Sequence, residues 1–592
     1  MKRAKKITAF LLACLLTASA AIPALYAQTP AEAARGSAET AGSVAARRQE
    51  DLAFLYETLK EYHPNLFTKT SEADFNAKCR EIEGKLDGLS DFDFILELQS
   101  LIALIGDSHT SAYIGSALSQ DASFYPVAIG WFDGQWVITS VEKSQEASLG
   151  KTIAAVNGLP IGEFEGKYAC LLSADNPVKL RRQFAQVFYV EEIMAWLGLT
   201  ETGQEISLSL TDSEGNQEEL KLAAASGREL SEMEIVSLAS RRAAKAPTDY
   251  DRTRYYKSLP LDKATYYIQY NACQEDEELS MESFTAQVRT DLEKGSYSQV
   301  ILDLRYNGGG SDGVLRPLLN FLTWERPDLK LFCLIDEATF SSAIINSVMI
   351  AEAGGILVGS PTSGSVDHFG SVGSFTLPNS GLRVGFSKKY IDLGSYFEAA
   401  QKYGGNSLLP DYQRGLTLAD YLAGRDTAVD FVLKSGPELM APVPAADAVL
   451  TRGRFVGMLG QLAEKLNGSP IADLTPTFAD GWDFAWYYPY LNWAAGRGIV
   501  SGTGSQMFEP ARAITRQEMA AMLDSYLVSR NYLLPLKEQA VPGDASAISG
   551  WAAGSVERVL ALGLMSLDGK GNFNPNGRVR VAEAAEIIAA LD

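Results

Sequence analysis

Residues able to do chemistry gather in three stretches of this chain. Val300–Gly313 reads VILDLRYNGGGSDG: four strand-like residues, then Asn307 and the run Gly308–Gly310. Glycine lacks a Cβ, so a turn there can bring bare N–H groups close to one point. N–H groups aimed at one point stabilise a developing oxyanion, although a triple glycine alone also reads as a plain strand-to-helix turn. Asp336–Ser347 reads DEATFSSAIINS and follows the apolar run LFCLI. Ser341 and Ser342 therefore stand where a strand passes into a helix. A serine there is either an N-cap or a nucleophile favoured by the positive end of the helix. Gly106–Ile114 reads GDSHTSAYI and carries Ser108-His109; His63, His109 and His368 are the 3 histidines of the chain. Imidazole titrates near neutrality and can take a proton from a serine hydroxyl.

Taken in order, these stretches resemble the C-terminal-processing, or tail-specific, serine peptidases, including the tricorn-core-like branch. The resemblance runs from about residue 50 to about 435. It rests on Asp303-Leu304-Arg305-Tyr306-Asn307-Gly308-Gly309, Thr339–Ala343, VGSPTSG at Val358–Gly364, LPNSGLRVGFS at Leu377–Ser387, and Pro410-Asp411. It implies peptide-bond hydrolysis through an acyl-enzyme on Ser341, with N–H groups near Gly309 and Ser342 holding the oxyanion. Ser342 is the nucleophile if the register shifts by one, because Ile344 stands where the family has an acidic residue. Ser365 stands where many members carry a lysine base. The branch with a Ser-His pair points instead to Ser108 and His109, with His368 as the competing base. His63, Asn307 and Asp367 are expected to line the cleft. Glu398 lies at about the spacing of the branch's distal glutamate but outside its context. The rival reading is a catalytically inactive binding protein of the same fold.

The elements that must position these residues divide the chain. Residues 46–115 carry leucines at helical spacing. Residues 116–225 carry short alternating runs, and Gly150–Phe164 resembles part of a PDZ module, with an ordinary β insert as the alternative. Residues 226–437 alternate apolar strands with helical stretches, a β-α-β core that the resemblance to the serine peptidases implies to be crotonase-like. Residues 438–592 differ in kind: Phe508/Pro510 and Glu518 recur 65 residues later as Phe573/Pro575 and Glu583. Recurrence at tens of residues marks repeats. They resemble all-α S-layer homology repeats, the first one partial. That resemblance implies a secondary cell-wall polysaccharide partner held at Thr451, Arg452, Thr515 and Arg516. Arg580-Val581 breaks the Thr-Arg pattern in the third copy. The whole is thus expected to be multidomain α/β.

Composition sets the compartment. The 592 residues carry a formal charge of −21. Lys2, Arg3, Lys5 and Lys6 precede an apolar run, which reads as a secretory signal over residues 1–27, followed by a flexible lead-in at 28–45. Loss of those four cations takes the charge from −21 to −25. Such a surface repels phosphates, so no nucleic-acid partner is expected. No transmembrane anchor is expected after cleavage. Cys79, Cys170, Cys273 and Cys333 lie far apart, and neither metal nor cofactor is expected. The expected product is an extracellular, wall- or S-layer-associated chain acting on protein or peptide.

Overall fold

The computed structural model describes residues 43–591 apart from 117, 119–121, 252, 327, 440–447, 469–470, 472–474, 476, 482–484 and 532–540. The expected signal at 1–27 and nearly all of the lead-in lie outside the described residues. The chain is a multidomain α/β molecule. Among the described residues no helix is long and apolar enough to cross a membrane.

Helices α1 (Val44–Tyr62), α2 (Glu72–Glu83) and α3 (Asp91–Ala103) open the fold. Ser43, Ser71 and Ser90 cap them, and the Ser90–Asp93 capping box fixes where α3 starts. Their leucines pack against Leu377, Leu382, Val384 and Phe386 of a distant hairpin. After α3 the short strand β1 (Ser111–Ala112) is drawn to that same hairpin. A β-rich unit follows: β2 (Val127–Phe132), β3 (Gln135–Glu142), β4 (Thr152–Val156), then α4 (Pro177–Val187), β5 (Ile206–Thr211) and β6 (Gln217–Leu222). Its strands pair antiparallel, and β5 alternates buried with half-buried residues, the mark of a sheet wet on one face.

The α/β core is a sheet in the order β7 (Tyr256–Pro260), β8 (Thr265–Tyr270), β9 (Gln299–Asp303), β10 (Lys330–Ile335), β11 (Ile356–Gly359) and β14 (Tyr412–Gln413). All pairs from β8 onward are parallel. Parallel strands are covered on both faces, hence the unbroken apolar runs. Helices α5 (Met281–Lys294) and α6 (Ser342–Glu352) cover one face, and α7 (Thr427–Ser435) covers the other. The hairpin β12 (His368–Thr376) and β13 (Arg383–Ile391) leaves the core to meet the opening helices. It thereby carries His368 towards the loop that follows α3.

The C-terminal unit is helical: α8 (Arg452–Asn467), α9 (Tyr488–Gly496), α10 (Arg516–Ser529), α11 (Ala553–Ala561) and α12 (Val581–Leu591). Three bridges, Thr451 with Ala513, Thr515 with Arg578 and Val449 with Arg580, link the repeats head to tail in a ring.

Candidate active site

The Asp-Leu-Arg motif is a brace beneath the site. Asp303 is fully buried at the end of β9, and its carboxylate accepts from Tyr267 Oη at 2.6 Å and Arg305 Nη2 at 2.6 Å. Arg305 also donates to both oxygens of Asp426, at 2.8 and 2.6 Å. Burial works against the charge on Arg305, but Asp303 and Asp426 outweigh it and hold the guanidinium more firmly protonated than usual.

Beyond the brace two turns meet. Asn307 Nδ2 donates to Tyr270 O at 3.0 Å, and Phe340 N–H donates to Asn307 O at 3.0 Å. Gly309 adopts φ +103, and a Cβ there would sit 2.7 Å from Ser341 Cβ and 3.0 Å from Ser342 N. Only glycine admits this approach. Ser342 Oγ donates to Gly310 O at 2.7 Å, latching the glycine turn to the first residue of α6. Ser341 precedes that helix with φ 53 and ψ −128, a region a non-glycine residue enters only under constraint, at about 1–3 kcal/mol. The two serines are thus distinguished. Ser342 is buried and its hydroxyl committed; Ser341 is half-exposed, and among the described residues its hydroxyl has no hydrogen-bond partner. The Gly309 N–H, expected to face an oxyanion, instead donates to Asn307 Oδ1 at 2.9 Å. That bond closes a local turn, so the contribution of Gly309 here is the space it leaves.

The three histidines lie together. His109 N–H donates to Asp107 Oδ1 at 2.9 Å, and Thr110 Oγ1 donates to Asp107 Oδ2 at 2.5 Å. His63 Nε2 donates to the same Oδ2 at 3.2 Å. Thr110 Oγ1 in turn accepts from Ser387 N–H of β13 at 3.1 Å, which pins the loop to the hairpin. Burial alone would raise the Asp107 pKa, but the His63 bond, the nearby His109 and Thr110 outweigh it and hold the carboxyl well below the usual range. The His109 ring stacks on Phe340 at 4.4 Å and on His368 at 5.5 Å. His368 Nδ1–H donates to Val366 O at 3.1 Å, leaving Nε2 with its lone pair. Among the described residues both ring nitrogens of His109 and Nε2 of His368 are buried without a hydrogen bond, His109 Nδ1 lying 4.0 Å from Asp107 Oδ1. Burial, then His368 and Lys179, push His109 down to about 3, so the ring is neutral at pH 7.

Other expected residues are placed differently. Ser108 Oγ donates to Asp175 Oδ1 at 2.7 Å and accepts its N–H at 3.0 Å, so its hydroxyl is committed to Asp175. Asp367, the residue before β12, accepts Gly394 N–H at 3.0 Å and so ties the start of the hairpin to the loop after β13. Ser365 accepts from Asn176 Nδ2 at 3.0 Å. Asp175, Asn176 and Lys179 belong to no motif, and Asp107 is marked only as the neighbour of Ser108-His109. Lys179 Nζ lies 3.6 Å from the centre of the Phe340 ring. Burial, aided by Arg182, pushes its pKa down to about 7. The one signal for this group is Asn176-Pro177, an N-cap and first-turn proline that aim α4 at the site. A cleft of about 830 Å³ opens between Trp131 and Arg181 on one side and Arg305, Tyr306, Asp336 and Ser360 at the carboxyl ends of the core strands. Ser341 does not line it.

In the repeats, Thr451 and Thr515 cap α8 and α10. The arginines beside them do not present open donor forks, as expected of polysaccharide ligands. Arg452 donates to Phe508 O at 2.8 Å, Glu518 Oε1 at 3.0 Å and Ser501 O at 3.2 Å. Arg516 donates to Phe573 O at 2.8 Å, Ser566 O at 2.7 Å and Glu583. A guanidinium this enclosed needs acceptors, and each finds them on the next repeat.

Residues 477–520 and 543–585 match the S-layer homology domain family and are two such domains. The S-layer protein sap of Bacillus anthracis is 32% identical over 123 residues, 21% of this chain and 14% of that protein. An endoglucanase of Bacillus sp. (strain KSM-635) is 34% identical over 107 residues, 18% of this chain and 11% of its own length. The chain therefore spans about a seventh or less of these relatives. Among solved structures, mature CPAF aligns with TM-score 0.49 and 13% identity over 67% of this chain and 99% of that one. The photosystem II D1 C-terminal processing protease aligns with TM-score 0.31 and 12% identity, over 64% and 98%.

Proposed function

We propose that this chain is a serine endopeptidase of the tail-specific kind, displayed at the cell surface by its S-layer homology repeats. The reading is supported by a serine hydroxyl held at positive φ against a glycine turn, one residue after Phe340, on whose ring a neutral imidazole stacks with neither ring nitrogen hydrogen-bonded among the described residues. In this reading Ser341 Oγ adds to a peptide carbonyl carbon and His109 takes its proton. The oxyanion faces the Ser342 N–H; the Gly309 N–H joins it only by leaving Asn307. The tetrahedral adduct expels the amine, which takes the proton from His109, and water then releases the acyl group by the same route. The phenyl ring of Phe340 sets the imidazole plane, and Asp107 holds the loop that carries it. The acidic wall polysaccharide is the proposed anchor ligand, and protein or peptide the proposed substrate.

The second reading, a non-catalytic binder, is favoured by one fact: among the described residues no hydrogen bond joins Ser341 to His109. Such bonds often tighten only with substrate. Labelling with a fluorophosphonate, alongside hydrolysis of an unfolded protein, separates the two. Label lost in Ser341→Ala and kept in Ser342→Ala supports the peptidase. Absence of both label and hydrolysis in the wild type supports the binder.

A further inference from the structure

The start of α8 is built differently from that of α10. In α10, Glu518 stands three residues after the cap Thr515 and accepts its N–H and its hydroxyl, both at 2.9 Å. The third repeat keeps Glu583 at the matching place, where it receives Arg516. The first repeat has Arg454 there instead. Its cap, Thr451, still accepts Arg454 N–H at 3.2 Å, but among the described residues no carboxylate of its own repeat answers it. The carboxylate comes from the α/β core. Glu398 Oε2 accepts the Thr451 hydroxyl at 2.7 Å, and Glu398 Oε1 accepts Arg454 Nε–H at 2.6 Å. Both side chains are largely enclosed, 24% exposed for Arg454 and 17% for Glu398. The contact continues at Gln401, whose Nε2 donates to Ala511 O at 2.5 Å, while within the core Ala399 N–H donates to Glu352, the last residue of α6.

We propose that the first repeat is a docking repeat: its helix start binds the α/β core through Glu398, so that core and repeats form one body rather than a core on a loose tether. The argument is one of substitution. A glutamate supplied from elsewhere replaces one the repeat lacks, and an arginine replaces that glutamate with the sign the core requires. An enclosed pair of this kind has a cost if either partner is removed, because the other is left uncompensated. It also fixes geometry, since two distinct donors converge on two oxygens of one carboxylate. The reading does not depend on the peptidase assignment, and it leaves Glu398 outside the catalytic set.

The full chain tests it by charge exchange. Small-angle scattering should show Glu398→Arg and Arg454→Glu as more extended particles than the wild type, and the double exchange Glu398→Arg/Arg454→Glu as compact again. Circular dichroism confirms that each single variant is folded. The milder Glu398→Gln, read by deuterium exchange, should raise exchange at the first amides of α8 by about tenfold while those of α10 keep their rate. Scattering of both folded single variants identical to the wild type, or no rise at α8 in Glu398→Gln, would overturn the proposal.

Discussion

In the proposed mechanism Ser341 carries the chemistry and His109 sets its pH range. Ser341→Ala should abolish hydrolysis with the fold intact, measured by turnover and thermal melting together. His109→Ala should lower kcat by roughly 10²-fold or more, the scale of losing a general base. A pH dependence follows from the burial that pushes His109 down to about 3. The imidazole is then neutral, and able to accept a proton, well below the pH at which an ordinary histidine charges. The acid limb of kcat/KM should therefore be absent near pH 6.5 and fall towards pH 3, or wherever the protein unfolds first. The same shift bears on stability with a definite sign. The unfolded chain binds this proton from about pH 6.5 downward and the folded one does not, so stability declines as pH falls through that range. An acid limb near pH 6.5 would overturn the assignment of His109 as the base.

At the scale of elements, the brace under the glycine turn carries the burden. Removing Arg305 leaves Asp303 and Asp426 as buried, uncompensated carboxylates. Arg305→Ala should cost about 3–5 kcal/mol, read as a lower urea midpoint, and activity should fall with folded protein. The strands were legible because a parallel core demands unbroken apolar runs, which QVIL, KLFCLI and ILVG supply. The turn into α6 was legible for the same reason. The histidine loop was legible only in part. Asp107 stands beside Ser108-His109, yet its partner His63 lies 44 residues away, and sequence spacing does not show contacts of that kind. Lys179 was hidden on a helix without a motif. Thr-Arg in the repeats showed a donor type but not its direction, and the guanidiniums turn to the neighbouring repeat.

At the scale of the whole molecule, the sensitive place is where α6 ends against the repeats. Burial pushes Glu352 up to about 7; Ala399 N–H, Arg454 and Tyr487 oppose that rise, and Glu398 adds to it. The unfolded glutamate has a pKa of about 4.3, so the folded state holds this proton more tightly. Stability therefore falls as pH rises from about 4.3 to about 7, by on the order of 3 kcal/mol. Glu352→Gln keeps an acceptor for Ala399 N–H and removes the titration. Its melting temperature should exceed that of the wild type at pH 8 and equal it near pH 4.5. An equal melting temperature at pH 8 would show the carboxylate is comfortably ionised there. A multidomain α/β chain with repeats at its end was readable from composition and the 65-residue recurrence; the junction was not, because it depends on one glutamate finding a distant threonine and arginine.

The histidine stack also makes this 64.1 kDa chain unusually open to spectroscopy. Its 3 histidines all lie in one cluster. A sample carrying isotope in histidine alone would show ring resonances from that cluster and from nowhere else. The His109 carbons and protons, stacked against the rings of Phe340 and His368, would be moved upfield by the ring currents of both. A peptide or inhibitor that separates the stack would return them downfield, so occupancy could be followed residue by residue without a chromogenic substrate.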